Sequence, residues 1–206
     1  MSTRPLASLT SLLVLFAAAR GVAQTTSDLR REAEGQAKAG GHIPWDSAVP
    51  LVWAQFRGTP QPAYFTAAQT SSDVTYLIGC LGKETRFTVL ATFSTTESWV
   101  RPGIPTDSIA GPQTLRHEQT HFDLTEIFAR ELRRALTTTP GLCPGNLHAA
   151  RQLFDSLSLV SKALNAQYDE DTAHGTKGDS QAIWSARVRA RLDSLGAYSG
   201  LDTTAP

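Results

Sequence analysis

The run Pro112-Gln-Thr-Leu-Arg-His-Glu-Gln-Thr-His-Phe-Asp-Leu-Thr-Glu-Ile-Phe-Ala-Arg-Glu-Leu-Arg-Arg-Ala-Leu-Thr137 decides how the chain reads. Beyond its first residue it holds neither Gly nor Pro. Leu115, His117, His121, Leu124, Phe128, Leu132 and Ala135 recur at spacings of two to four, the period of one face of an α-helix. The breaker run Thr137-Thr-Thr-Pro-Gly-Leu-Cys-Pro-Gly145 stops it. A second helix is expected from about Leu147 to Tyr168, with Leu153, Leu157, Val160, Leu164 and Tyr168 on one stripe, and a third from about Ser180 to Leu195. Upstream the texture differs. Leu51–Phe56, Asp73–Gly79 and Arg86–Phe93 are short, rich in β-branched and aromatic residues and separated by Gly and Pro, as strands are. Strands first and helices afterwards predict an α+β fold: an antiparallel or mixed sheet covered by the long helix and two others.

Inside the long helix stands His117-Glu118-Gln119-Thr120-His121. At 100° per residue, His121 lies about 40° around the helix from His117 and one turn along, so both imidazoles can reach one metal ion. Glu118, turned about 100° from His117, stands beside such an ion and can take a proton from water held there. By chance the pattern arises in roughly one such chain in 200. The alternative, two imidazoles and a carboxylate buried together without a cation, is costly. A catalytic zinc site takes a third protein ligand. Asp123 and Glu126 point about 200° and 140° away from His121, so neither joins; Glu126 reads as a surface partner of Arg130 at i+4. His174 is the leading candidate, because it sits past the second helix before a Gly that permits a tight turn. Asp169, Glu170 or Asp171 is the next choice, ahead of His148 and His42. Tyr168 reads as core or as a hydrogen-bond donor to an oxyanion. Asp123 reads as a solvated face or as a residue orienting an active-site histidine. Trp53, Trp99 and Trp184 read as core or cleft walls.

The 206 residues are 41% apolar and carry 19 basic and 19 acidic side chains, a formal charge of zero. That suits one compact domain and counts against a nucleic-acid partner. The first 23 residues have the order of a secretory signal peptide: Arg4, an apolar run from Leu6 to Ala19, and the small triplet Gly21-Val22-Ala23. The run is too short for the roughly 20 residues a bilayer requires, so no stable membrane insertion is expected after cleavage. Residues 24–41 lack a sustained apolar period and read as a flexible lead-in, residues 42–198 as the domain, and 199–206 as a flexible tail. Cys80 and Cys143 are the only cysteines. In an exported chain they are expected to pair, contributing on the order of 4 kcal/mol.

His117-Glu-Gln-Thr-His-Phe-Asp-Leu-Thr-Glu126 with Ala129-Arg130 resembles the bacterial DUF922 family. So do Ala67-Ala-Gln-Thr-Ser-Ser-Asp-Val-Thr-Tyr76, Thr92-Phe-Ser-Thr-Thr-Glu-Ser-Trp-Val100, and Tyr168-Asp-Glu-Asp-Thr-Ala-His-Gly175 with Gln181 and Trp184. The likeness spans roughly residues 50–195. It implies a secreted zinc-dependent protease and adds weight to His174, and it departs at Thr120, where the family form has Gly. The expected function is therefore an exported or periplasmic zinc metallopeptidase. Zn²⁺ would sit on His117, His121 and His174, with Glu118 as base and Tyr168 as donor, acting on a peptide or protein substrate aligned along a strand such as Arg86–Phe93. The alternative is a non-catalytic envelope or secreted module that keeps its metal for stability.

Overall fold

The computed structural model describes residues 25–61 and 66–200, together with the backbone of 202–205. The expected signal peptide lies outside the described residues. The fold is α+β with antiparallel sheets.

The strands Asp73–Gly79 and Arg86–Phe93 are present in longer form. Label the first strand, His42–Pro44, β1, and the pair Ala68–Gln69, β2; then β3 is Ser72–Leu81, β4 is Glu84–Ser94 and β5 is Trp99–Val100. β3 and β4 form a hairpin in register from Ser72 opposite Phe93 to Leu81 opposite Glu84. The other edge of β4 pairs with β1 at Thr92–Ser94 and with the last strand, β6 (Asp202–Ala205), at Thr85–Thr88. β4 is thus the central strand, and β2 and β5 form a separate two-stranded ribbon. Two expectations fail here. Leu51–Phe56 is no strand: Trp53–Gln55 is a single 3-10 turn, and Trp53 packs on the Phe56 ring that follows it, which in turn packs on Phe93 of the core. The tail expected to be flexible supplies the backbone of β6, because β4 offers it an open edge.

The lead-in is a helix as well. α1 (Thr26–Ala39) opens on a capping box in which the Asp28 amide donates to Thr25 Oγ1 and the Thr25 amide donates to the Asp28 carboxylate. It buries Leu29 and Ala33 against Leu77 and Leu90 on one face of the sheet. On the other face Val74, Phe87, Val89, Ala91 and Phe93 pack under α2 (Ala110–Thr138), α3 (Leu147–Thr172) and the Phe56 ring. β4 is buried on both faces because helices cover both. α4 (Gly178–Ser194) closes a second core around Leu124, Tyr168, Trp184 and Val188. Trp99 is buried, and Trp53 packs against the core cluster that contains Phe56 and Phe93. The expected Cys80–Cys143 disulfide is formed and ties the end of β3 to the loop between α2 and α3.

Glu126 is not on the surface. α2 touches β4, α3 and α4, which leaves it few exposed faces. Glu126 is buried between Arg130 and Arg133, each with an N···O distance of 2.9 Å. Between the stretches of β4 that pair with β1 and β6, the carbonyls of Val89 and Ala91 lack a strand partner. The fully buried Arg133 donates to Val89 O at 2.7 Å, and the Trp45 amide donates to Ala91 O at 2.9 Å. A buried guanidinium thus replaces missing ladder bonds, and Glu126 balances its charge.

Candidate metal centre

His117 and His121 project from α2 toward α3, where Asn165 and Asp169, also four residues apart, look back at them. His121 Nδ1 lies 2.8 Å from Asn165 Oδ1, and the Asn165 amide nitrogen donates to Ser161 O, which leaves that oxygen to accept. His117 Nδ1 lies 3.2 Å from Gln181 Oε1. Gln181 Nε2 donates to Thr120 Oγ1 and Ser185 Oγ, so this amide is also fixed with its oxygen toward the ring. Both imidazoles therefore carry their proton on Nδ1 and present the Nε2 lone pair.

The two Nε2 atoms stand 3.2 Å apart, and Asp169 Oδ1 stands 3.1 Å from His117 Nε2 and 3.0 Å from His121 Nε2. Three electron-rich atoms thus form a nearly equilateral triangle. Bonds of about 2.0–2.1 Å to a tetrahedral Zn²⁺ set a ligand-to-ligand distance of about 3.3–3.4 Å, close to each side of this triangle. Among the described residues, His117, His121 and Asp169 are the group whose ligand atoms all lie within 4.8 Å of one another. The electrostatics agree. Burial alone would raise the Asp169 carboxyl, but the closeness of His117 and His121 holds it well below the usual carboxylate range. Burial disfavours a charged His121, yet the nearby carboxylates of Asp169 and Glu118 raise its pKa overall. The site favours positive charge at the centre of the triangle.

Glu118 is buried beside this triangle, and its Oε2 has no hydrogen-bond partner among the described residues. Leaving such an atom unsatisfied costs about 1–3 kcal/mol or more when charged. It lines a cleft of about 540 Å³ together with the two histidines, Asp169 and His174. One wall of the cleft is the chain from Thr66 to Asp73 and the other is α3.

His174 does not join the convergent set. Its side chain is 57% exposed at the cleft rim, with Nδ1 3.4 Å from Asp169 Oδ1. Asp169, one of the acids weighed behind it, occupies the third corner. The reason lies in the turn after α3, where Ala173, His174 and Gly175 have φ of +46°, +52° and +81°. This left-handed run presses the Gly175 backbone, not the His174 ring, against His117, and Gln113 secures it by donating to Gly175 O at 2.8 Å.

Tyr168 is not an oxyanion donor. It is fully buried, stacked on His117 at 4.7 Å, and its hydroxyl donates to Gln181 Oε1 at 2.7 Å. Burial pushes its phenol well above the ordinary value. It positions His117. Asp123 orients no histidine; its Oδ1 accepts from Trp45 Nε1 and Gln119 Nε2, both at 2.8 Å, on another face of α2. His148 is exposed in the first turn of α3, about 30 Å of helix from Asp169. His42 sits in β1 near Thr92. Glu170 and Asp171 are likewise outside the triangle. Asn165 had no place in the sequence reading, although its spacing of four from Asp169 on one stripe would have revealed it.

Residues 109–175 match the profile of a family described as bacterial protein of unknown function (DUF922). The match covers 67 of the 206 residues, and over that stretch the chain is similar to DUF922. The stretch contains His117, Glu118, His121, Asn165, Asp169 and Gly175, so the DUF922 match ends in the turn that packs on His117. Gln181 supports the DUF922 segment from outside it, on α4. No curated protein and no solved structure matches the chain.

Proposed function

We propose that the chain is an exported zinc-dependent hydrolase acting on peptide bonds, zincin-like in placing its His-Glu-any-any-His helix beneath a strand-edged cleft. His117, His121 and Asp169 would hold the ion, which would supply Lewis acidity to a water molecule and to the substrate carbonyl. Glu118 would accept a proton from the attacking water and deliver it to the leaving amine. Gln181 and Asn165 hold the two rings in the tautomer that ligation needs, and Tyr168 holds Gln181 and the His117 ring. The single observation that carries this reading is the buried, unpartnered Glu118 Oε2 beside a ligand triangle in an open cleft. A site kept only for stability is closed by four protein ligands, whereas here three converge among the described residues. Export is supported by the N-terminal segment and by the disulfide. Among the described residues no helix is long and apolar enough to cross a membrane.

Strand alignment of the substrate cannot use Arg86–Phe93, because β4 is paired along one edge and capped or paired along the other. The wall from Thr66 to Asp73, leading into the outer strand β3, takes that place.

The test is Glu118→Gln. Zinc content by plasma mass spectrometry should match the parent at about one ion per chain. Hydrolysis of a peptide library should fall about 10²- to 10⁴-fold, the range for a general acid-base group. Full activity in the variant removes Glu118 from the mechanism, and a parent that takes up no zinc overturns the reading.

A further inference from the structure

The cleft wall formed by α3 carries more than metal ligation requires. Ser158, Ser161, Lys162, Asn165 and Asp169 all line the cleft. At about 100° per residue they fall within one helical face about 100° wide, with Ser161 and Lys162 at its two edges. Asn165 and Asp169 serve the histidines. The remaining three, one to two turns further along, have no assigned task.

Several threonine hydroxyls in these helices are spent on the preceding turn: Thr120 donates to Arg116 O, Thr125 to His121 O and Thr172 to Tyr168 O. The hydroxyls of Ser158 and Ser161 have no hydrogen-bond partner among the described residues, though both are partly buried. Lys162 likewise has no carboxylate within ion-pair distance among the described residues. The charge it feels across the cleft is Asp73, one of whose oxygens accepts the Val74 amide. Two unspent hydroxyls, each able to donate, and an ammonium with no ion-pair partner among the described residues line the same face, a group of donors that suits a carboxylate.

We infer that Ser158, Ser161 and Lys162 form a carboxylate-binding subsite of the cleft, so that the preferred substrates carry an acidic group on the α3 side of the scissile bond. The inference rests on the hydrolase reading above and deepens it. Seven residues of α3 separate Lys162 from Asp169, about 10.5 Å of rise. An extended peptide advances about 3.3 Å per residue. Allowing for the reach of the lysine, the acidic group falls about two to four residues from the bond cut. The carboxylate can belong to an Asp or Glu side chain or to a free C-terminus.

The experiment uses zinc-loaded Glu118→Gln protein and fluorescent octapeptides read by anisotropy. One series moves a Glu or a Gln along the sequence, and a second compares free with amidated C-termini. At low salt the best-placed Glu peptide should bind about 5- to 10-fold tighter than its Gln counterpart, and the gap should shrink in high salt. Lys162→Gln should abolish the gap, Lys162→Glu should invert it, and Asp73→Asn should widen it by removing the competing carboxylate, all with unchanged zinc content. If the gap appears only with free C-termini, the subsite reads the chain end. Equal binding of Glu and Gln peptides with no effect of amidation, or a gap that survives Lys162→Gln, overturns this inference while leaving the metal and Glu118 intact. Failure to take up zinc overturns both.

Discussion

Gly175 is where a single methyl group should disturb the site most. A Cβ there would lie 2.8 Å from both Cβ and Cγ of His117 and 3.1 Å from its Nδ1. Carbon atoms in contact sit about 3.5–4.0 Å apart, so the turn or the ring must yield by roughly 0.7 Å or more. Overpacking of this kind costs about 1–3 kcal/mol. The backbone, at φ +81°, adds about 1–2 kcal/mol for any residue with a Cβ. The sum, about 2–5 kcal/mol, lowers the melting temperature of a domain this size by on the order of 10 °C. Gly141 is the control: its φ is +71°, but nothing lies within 4 Å of its added Cβ. Gly141→Ala should therefore show only the backbone cost. The two variants should also separate in metal binding. Moving His117 breaks a triangle whose sides are 3.0–3.2 Å, so Gly175→Ala should bind zinc about 10- to 100-fold more weakly, as when an outer support is lost, and Gly141→Ala as the parent does. Differential scanning fluorimetry and competition titration against a colorimetric chelator provide the readouts. Equal melting losses in the two variants, with zinc affinity intact in Gly175→Ala, would refute the claim that this turn supports His117.

Tyr168→Phe keeps the ring on His117 and removes the 2.7 Å bond to Gln181; zinc affinity in the same titration should fall several-fold, with about 1 kcal/mol of stability. Glu126→Gln leaves Arg130 and Arg133 buried beside a neutral partner and should cost about 3–5 kcal/mol in urea unfolding at pH 7, where a loss below about 1 kcal/mol would count against a charge-balancing role. Burial raises the Asp123 carboxyl although Trp45 and Gln119 donate to it. The folded chain therefore takes up this proton at a higher pH than the unfolded chain, whose value is near 3.8. Wild-type stability relative to Asp123→Asn should accordingly rise as pH falls from 7 toward 4, measured by urea unfolding at each pH; a constant difference would show that Asp123 is not perturbed.

The parts of the fold that were legible in the sequence are those where large side chains repeat with a clear period. The stripe from Leu115 to Ala135 gave α2, and the β-branched runs gave β3 and β4. α1 escaped because Leu29 is its only large buried side chain and its other buried positions, Ala33 and Ala37, contribute almost no hydrophobic signal. Its capping residues, Thr25 and Asp28, were the available clue. Leu51–Phe56 misled for the opposite reason. Its aromatic residues mark burial, but Gln119 takes the Leu51 amide at 2.7 Å and no strand runs alongside. Glu126 misled because an i+4 pair looks the same on a surface as in a core. What decided its place was the gap between β1 and β6, a long-range feature invisible in the helix itself.

The candidate metal site shows where helical geometry suffices and where it stops. Rotation about α2 alone brought His117 and His121 together and excluded Asp123 and Glu126, since all four ride on one rigid rod. The third corner lies on another rod, and choosing between Asp169 and His174 required knowing how the chain leaves α3. Asp169 is still in regular helix, four residues beyond Asn165, so both face α2 together. His174 stands one residue into a turn of three consecutive left-handed conformations, two of them in residues that adopt it only under constraint from their surroundings. The His-Gly pair did mark the chain segment that meets His117. The glycine makes the contact, because a Cβ at that position would stand only 2.8 Å from His117, and the histidine is carried to the rim as a consequence.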